Sequence, residues 1–112
     1  VKGFNMSERD VAGFARIIDR ANPTFVEPKA YMHVGASIGR LSRSSMPSYE
    51  EVMEFAKRLA EETGYRLVST SRPSRVALLA RLGGPTVRYG KGCPKAWDEV
   101  DAEGERYLEE YR

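Results

Sequence analysis

The strongest local signal in the chain is a helix start at Ser48. Ser48 and Glu51 form an S-x-x-E capping box, in which each side chain bonds the backbone N–H of the other residue. Gly64 is well suited to the residue that follows the last helical turn. Between these ends, apolar residues recur at helical spacing: Val52, Phe55, Ala56, Leu59 and Ala60. The spacing therefore predicts an amphipathic helix that ends near Gly64.

A second helix is predicted from about Glu8 to Ala21. Ser7 is a candidate N-cap with Asp10 three residues on, a weaker form of the same capping box. Asn22 and Pro23 end the pattern. Its apolar face comprises Val11, Phe14, Ala15, Ile17, Ile18 and Ala21.

Strand patterns precede and follow these helices. They cover Val1–Met6, Thr24–Val34, Tyr65–Thr70 and Val76–Leu82. The order β-α-β-α-β-β is typical of right-handed βαβ units, so we expect an α/β fold with a mostly parallel sheet over residues 1–82. A Gly-rich linker at 83–93 and a last helix within 94–112 complete the predicted organisation.

The strand predicted at Thr24–Val34 has two unlike faces. One face is largely apolar, and the other carries Phe25, Glu27, Lys29, Tyr31 and His33. A sheet covered by helices on both sides should be apolar on both faces, whereas a barrel with an internal site need not be. Pro28 cannot donate to a strand ladder, which indicates a bulge or an edge at that point.

Candidate chemical groups lie on this strand and on its predicted neighbour. Lys2 and Lys29, if both point into a barrel, form a cationic pocket that holds a carboxylate, or one of them forms a Schiff base. The alternative for Lys29 is an ion pair with Glu27 or another acid. His33 is either an acid-base group or a hydrogen-bonded core residue.

The loop after the strand carries Arg40 and Arg43 among several serines. Of the 18 basic residues of the chain, 13 are Arg, the residue suited to bidentate phosphate contacts. The excess of arginine has codon or growth-temperature bias as an alternative cause. Because Arg40 and Arg43 flank Ser42, and Ser44 and Ser45 follow, we predict a phosphate-contacting loop, with a solvated loop as the alternative.

Composition excludes several classes of protein. No apolar run approaches the roughly 20 residues of a membrane span, so no membrane partner is expected. The single cysteine, Cys93, permits no intrachain disulfide, which favours a cytoplasmic protein. His33 and Cys93 are far apart in sequence, and no metal-ligand cluster is predicted.

The combined pattern KAYMHVGAS…RL…MPSYEEV…FAKRLAEETGY resembles the carboxyl-terminal part of the archaeal 4-demethylwyosine synthases. These are radical-SAM enzymes of wybutosine-type tRNA modification. VKGFN, ANPTFVEPKAYM and SRPSRVALLAR are further similar pieces, and the resemblance covers roughly 1–81. Because the chain opens on Val1 inside a predicted strand, we also expect it to be a fragment of a longer protein.

The resemblance implies a partial (β/α) radical-SAM-type barrel that is completed by an amino-terminal half. It implies a [4Fe-4S] cluster and S-adenosylmethionine (SAM) in the full-length enzyme, and condensation of pyruvate with N1-methylguanosine of tRNA-Phe. The C-x-x-x-C-x-x-C motif of radical-SAM enzymes is absent from this sequence. One thiol cannot replace three, so we expect the fragment alone to bind neither cofactor and to be inactive.

The same resemblance implies roles for individual residues. The catalytic candidates are Lys29 and His33; Asn5 and Ser37 are candidates for binding the cofactor; Lys2, Tyr31, Arg40 and Arg43 are candidates for binding substrate.

The sequence leaves two alternatives open. One is a non-catalytic α/β RNA-binding or interaction module, which keeps the Arg-containing loop without the chemistry. The other is a half-barrel that forms a homo-oligomer through an open sheet edge, since unpaired strand edges favour association.

Overall fold

The structure, a computed structural model, describes residues 1–83. The described elements are α1 (Glu8–Ala21), β1 (Phe25–Val26), α2 (Tyr49–Thr63), β2 (Arg66–Ser71) and β3 (Val76–Ala80). Two 3₁₀ helices, Gly35–Gly39 and Arg43–Ser45, lie between β1 and α2. The predicted helix within 94–112, Cys93, and the predicted linker apart from Gly83 lie outside these residues.

Both predicted helices are confirmed, and local sequence accounts for their ends. Ser7 and Asp10 form a complete capping box at α1, and Ser48 and Glu51 form one at α2. Asn22 and Gly64 end the two helices in the left-handed conformation.

One hydrophobic core joins the two helices to the sheet. α1 packs against α2, and the Phe14 and Phe55 rings meet edge to face with centroids 6.1 Å apart. α2 packs in turn on β3, in which Leu79 is fully buried. The buried residues of the core are Val11, Ala15, Ile18, Ala30, Val52, Met53, Ala56, Leu59, Tyr65, Ala77 and Leu79.

The prediction of a mostly parallel sheet is wrong for the described residues. The sheet has the order β1-β3-β2, and both pairs are antiparallel. β2 and β3 are joined by only the short turn Arg72–Arg75, and a parallel pair would need a crossover of a dozen or more residues. No barrel closes within residues 1–83.

The prediction of a strand at Val1–Met6 is also wrong, because these residues form turns and have no strand partner among the described residues. The backbone N–H groups of Phe4 and Asn5 both donate to Val1 O. Gly3, at φ +84°, supplies the left-handed residue that bends the chain back. The apolar residues Val1, Phe4 and Met6 do not all fall at the two-residue spacing that identifies one face of a strand.

The strand predicted at Thr24–Val34 is mostly irregular. Only Phe25–Val26 pairs as a strand, followed by an isolated bridge between Lys29 and Val76. Pro28 lacks an N–H, but its carbonyl accepts from Ala77 N at 2.9 Å. Pro28 follows β1, which lies at an edge of the sheet, so the edge that this proline indicated is present, and no regular strand resumes after it.

Neither helix within residues 1–83 is long and apolar enough to cross a membrane.

Candidate functional site

The segment that follows Pro28 is fixed to the sheet at its start. Ala30 N donates to Arg75 O at 2.9 Å, and Ala30 itself is buried. Beyond this point the chain leaves the sheet and enters the first 3₁₀ helix. The candidate residues from Tyr31 onward therefore lie on a loop that starts from a rigid anchor.

Three of the predicted site residues form one hydrogen-bonded group. Tyr31 Oη lies 2.9 Å from His33 Nδ1 and 2.9 Å from Ser37 Oγ. Ser37 Oγ donates in turn to the backbone O of Val34 at 2.5 Å. The Tyr31 and His33 rings are nearly perpendicular, at 80°, and both side chains are half-buried. The structure thus brings Tyr31, His33 and Ser37 together.

Lys29 and Asn5 line a second feature, a cavity of about 270 Å³ between α1, α2 and the loop. Its walls are mostly apolar and include Phe14, Val52 and Leu59. Lys29 is exposed, and no acid within residues 1–83 forms an ion pair with it. The alternative of a Lys29–Glu27 ion pair is therefore not realised among these residues, although Glu27 lines the same cavity.

Lys2 lies elsewhere, so the two lysines do not form the expected shared cationic pocket. Lys2 Nζ is 3.0 Å from Glu51 Oε2 and lines a separate cavity of about 520 Å³. Val1–Met6 is not a strand, and this removes the geometry that would have placed Lys2 beside Lys29. The Lys2 ammonium, followed by the Ser48 N–H, lowers the pKa of the Glu51 carboxyl below its ordinary value.

Arg40 and Arg43 are both exposed on the loop between β1 and α2. Arg40 follows the first 3₁₀ helix and donates its backbone N–H to Ser37 O at 3.0 Å. Arg43 opens the second 3₁₀ helix. Neither guanidinium forms an ion pair within the described part of the chain, so both remain available to anions.

Two arginines that sequence reasoning did not select hold the end of this loop. Arg75 Nη1 donates to Pro47 O at 3.0 Å. Arg72 pairs with Glu50 at 2.9 Å, and its guanidinium lies 4.1 Å from the centroid of the Tyr49 ring. The sequence signal for these two contacts is the pair of arginines in SRPSR. The pattern of this segment predicts a turn but does not predict that its arginines contact the loop.

Within residues 1–83, no group of three or more His, Cys, Asp or Glu side chains is placed to hold a metal ion.

Comparison with known proteins identifies relatives of this fold and site. A family model described as wyosine base formation matches residues 20–81, more than half of the chain. This range contains Lys29, Tyr31, His33, Ser37, Arg40 and Arg43.

Curated relatives carry the name SAM-dependent tRNA 4-demethylwyosine synthase. The protein from Methanocaldococcus jannaschii is 40% identical over 79 residues, which are 70% of this chain and 24% of the relative. The protein from Pyrococcus horikoshii is 44% identical over 82 residues, which are 72% of this chain and 23% of the relative. The chain thus spans about a quarter of the length of these relatives.

Solved structures show the same similarity in three dimensions. A structure of TYW1 with a lysine-pyruvate adduct bound is 38% identical with a TM-score of 0.61, covering 70% of this chain and 24% of that one. A crystal structure of archaeal TYW1 is 29% identical with a TM-score of 0.59, covering 77% and 25%. On the family match and these relatives together, the chain belongs to the wyosine base formation family.

Proposed function

We propose that this chain is the carboxyl-terminal part of a SAM-dependent tRNA 4-demethylwyosine synthase. The observation that carries the proposal is the 40% to 44% identity to two such synthases over the segment that builds the described fold and site. The intact enzyme would condense pyruvate with N1-methylguanosine of tRNA-Phe, and this segment would form its substrate-facing wall.

The relative with a lysine-pyruvate adduct supports pyruvate as the second substrate. In this chain, Lys29 is the cation that we assign to the pyruvate carboxylate, because it is unpaired among residues 1–83 and lines a mostly apolar cavity. Asn5 lines the same cavity, and no described residue bonds its side-chain NH₂ donors, which suit a substrate or cofactor oxygen. Lys2 is held by Glu51, so we assign it to fixing the start of α2 rather than to substrate.

The iron–sulfur cluster and SAM are assigned to the rest of the intact enzyme. Residues 1–83 offer no metal-ligand group, and we attribute no catalytic step of this segment to the cluster. When bound, the cluster and SAM supply the radical chemistry of this enzyme class. The remainder of the enzyme would also complete the barrel next to the antiparallel sheet described above.

The loop with Arg40 and Arg43 is assigned to the tRNA backbone. Both guanidinium groups are exposed and form no ion pair with the described residues, which is the state that phosphate contacts require. Each phosphate neutralised by an arginine releases counterions, so affinity falls as salt rises.

The test uses the full-length enzyme that contains this segment, purified with its cluster. It is expected to form the tricyclic base on tRNA carrying N1-methylguanosine when pyruvate and SAM are supplied. Absence of product with pyruvate, from enzyme that holds its cluster and binds tRNA, would refute the proposed reaction.

The Arg40→Glu, Arg43→Glu double variant tests the loop. It should weaken tRNA binding and reduce the slope of log affinity against log salt by about 1 to 2, because up to two phosphate contacts are lost. The matched control is Arg9→Glu, Arg16→Glu, which changes the net charge equally on exposed positions of α1. Equal weakening by both double variants would contradict a specific contact at the loop.

A further inference from the structure

The hydrogen bonds around Tyr31 fix where each proton lies. The carbonyl O of Val34 can only accept, so the Ser37 hydroxyl donates its single proton to that oxygen. Ser37 Oγ must therefore accept from Tyr31, and the Tyr31 hydroxyl donates its single proton to this oxygen. The bond between Tyr31 and His33 Nδ1 can then form only if Nδ1 carries a proton.

We infer that this chain of hydrogen bonds holds neutral His33 as its Nδ1–H tautomer and presents Nε2 as a hydrogen-bond acceptor to a substrate N–H or O–H group. No residue within 1–83 bonds Nε2. Tyr31 and Ser37 are positioning residues in this arrangement, since they act on the ligand only through the imidazole.

The backbone at His33 supports the arrangement. Val34 N donates to Met32 O at 2.9 Å, which makes His33 the central residue of a three-residue turn. His33 is not among the described residues with positive φ, so the turn is the common inverse γ-turn that is found where strands give way to loops. The turn fixes the imidazole at hydrogen-bonding distance from the tyrosine two residues earlier.

The surroundings indicate the class of ligand. Met32 and Val34 flank His33 along the chain and are 36% and 65% exposed. Apolar surface beside one acceptor nitrogen suits a flat group with an N–H donor, such as the amine or amide N–H of a nucleobase. The identity of this ligand rests on the proposed tRNA function, whereas the tautomer of His33 does not.

The first test is nuclear magnetic resonance of the 112-residue chain labelled with ¹⁵N-histidine. His33 is the single histidine of the sequence, so one ring pattern reports on the site alone. At a pH where the ring is neutral, the protonated nitrogen should be Nδ1. An Nε2–H ring in the unmodified chain would overturn the inference.

Variants of Ser37 make this test specific. In Ser37→Ala the tyrosine proton loses its acceptor and turns toward Nδ1, so the ring should change to the Nε2–H tautomer. Ser37→Thr keeps a hydroxyl at the same position and should retain the Nδ1–H form. Tyr31→Phe removes the acceptor of Nδ1–H, and the ring should change to the Nε2–H form that free histidine prefers. If the ring stays in the Nδ1–H form in folded Ser37→Ala, the hydrogen bonds through Ser37 do not set the tautomer, and the inference is wrong.

The second test asks whether Nε2 meets substrate in the full-length enzyme. His33→Asn keeps a donor near Nδ1 for Tyr31 but has no atom at the Nε2 position. It should lower kcat/KM by about tenfold, the loss expected when one substrate hydrogen bond is removed, while tRNA binding to the arginine loop persists. Unchanged kcat/KM in His33→Asn would show that Nε2 does not bind substrate, while the tautomer result would still stand. If both the unmodified enzyme and His33→Asn are inactive, the proposed reaction itself is refuted.

Discussion

At the scale of single residues, Arg75 has a structural role that the sequence does not predict. Its guanidinium donates to Pro47 O at 3.0 Å, and its own carbonyl accepts from Ala30 N at 2.9 Å. It therefore contacts both ends of the candidate site from one turn. Its φ is +49°, a left-handed conformation that costs a residue with a Cβ roughly 1–2 kcal/mol.

This conformation predicts an unusual order of stability for two variants. Arg75→Ala and Arg75→Gly both lose the bond to Pro47, about 1 kcal/mol, but only glycine adopts the positive φ without steric cost. Arg75→Gly should therefore be about 1 kcal/mol more stable than Arg75→Ala in urea unfolding followed by circular dichroism. Ser74, exposed in the same turn with negative φ, is the control, and there alanine should be the more stable. If Arg75→Ala is as stable as Arg75→Gly or more stable, the backbone at Arg75 is not strained.

Residue-level prediction from sequence succeeded where the partners are close in sequence. Tyr31 and His33 were expected on one polar face, and they are in contact, although a turn rather than a strand places them there. The Lys2–Glu51 pair was missed because it depends on how Val1–Met6 folds back onto α2. Spacing along the chain carries no information about such contacts.

At the scale of elements, Glu51 connects the start of α2 to the turn before α1. Its Oε1 accepts from Ser48 N at 3.1 Å, and its Oε2 pairs with Lys2 Nζ at 3.0 Å. These donors lower the pKa of the Glu51 carboxyl, with Lys2 the larger cause. Because the folded pKa is below the ordinary value of 4.5, the stabilisation is complete above that pH and is lost as the pH falls through the folded pKa.

Glu51→Gln should therefore destabilise the chain at neutral pH and have a smaller effect in acid. The amide oxygen can still accept from Ser48, so the loss is that of a partly exposed ion pair, up to about 1 kcal/mol. The measurement is the free energy of unfolding of both proteins from pH 7 down to pH 3. In a Lys2→Met background the effect of Glu51→Gln and its dependence on pH should both diminish. If the free energies of unfolding of the two proteins differ by the same amount at every pH in this range, the ionised Glu51 carboxylate is not the source of the stabilisation.

Helices were predicted more accurately than strands for a physical reason. α1 and α2 are specified by capping boxes, left-handed ends and 3.6-residue spacing, all of which are local. β2 and β3 were located approximately, but their antiparallel pairing depends on tertiary contacts that sequence pattern alone does not reveal.

At the scale of the whole molecule, the described sheet has two open edges. Within residues 1–83, β1 and β2 each pair only with β3. Along β2, the pairing skips Val68 between Leu67 and Ser69, which marks a bulge. Leu67 and Val68 are 37% and 39% exposed, so the edge of β2 presents apolar side chains beside unpaired backbone.

An exposed apolar strand edge predicts self-association of the 112-residue chain, which light scattering after size-exclusion chromatography would detect as a mass that rises with concentration. Val68→Lys places a charge on this edge and should raise the dissociation constant by about tenfold or more, because a lysine buried between paired edges would be desolvated. Val34→Lys is the matched control, since Val34 is 65% exposed but lies on the loop, and it should associate like the unmodified chain. A monomer at every concentration would show that the edge of β2 does not pair. Equal association of both lysine variants would show that the contact lies on another surface. Loss of association in Val68→Lys alone would locate the contact at the edge of β2, because that substitution charges this edge and leaves the loop unchanged.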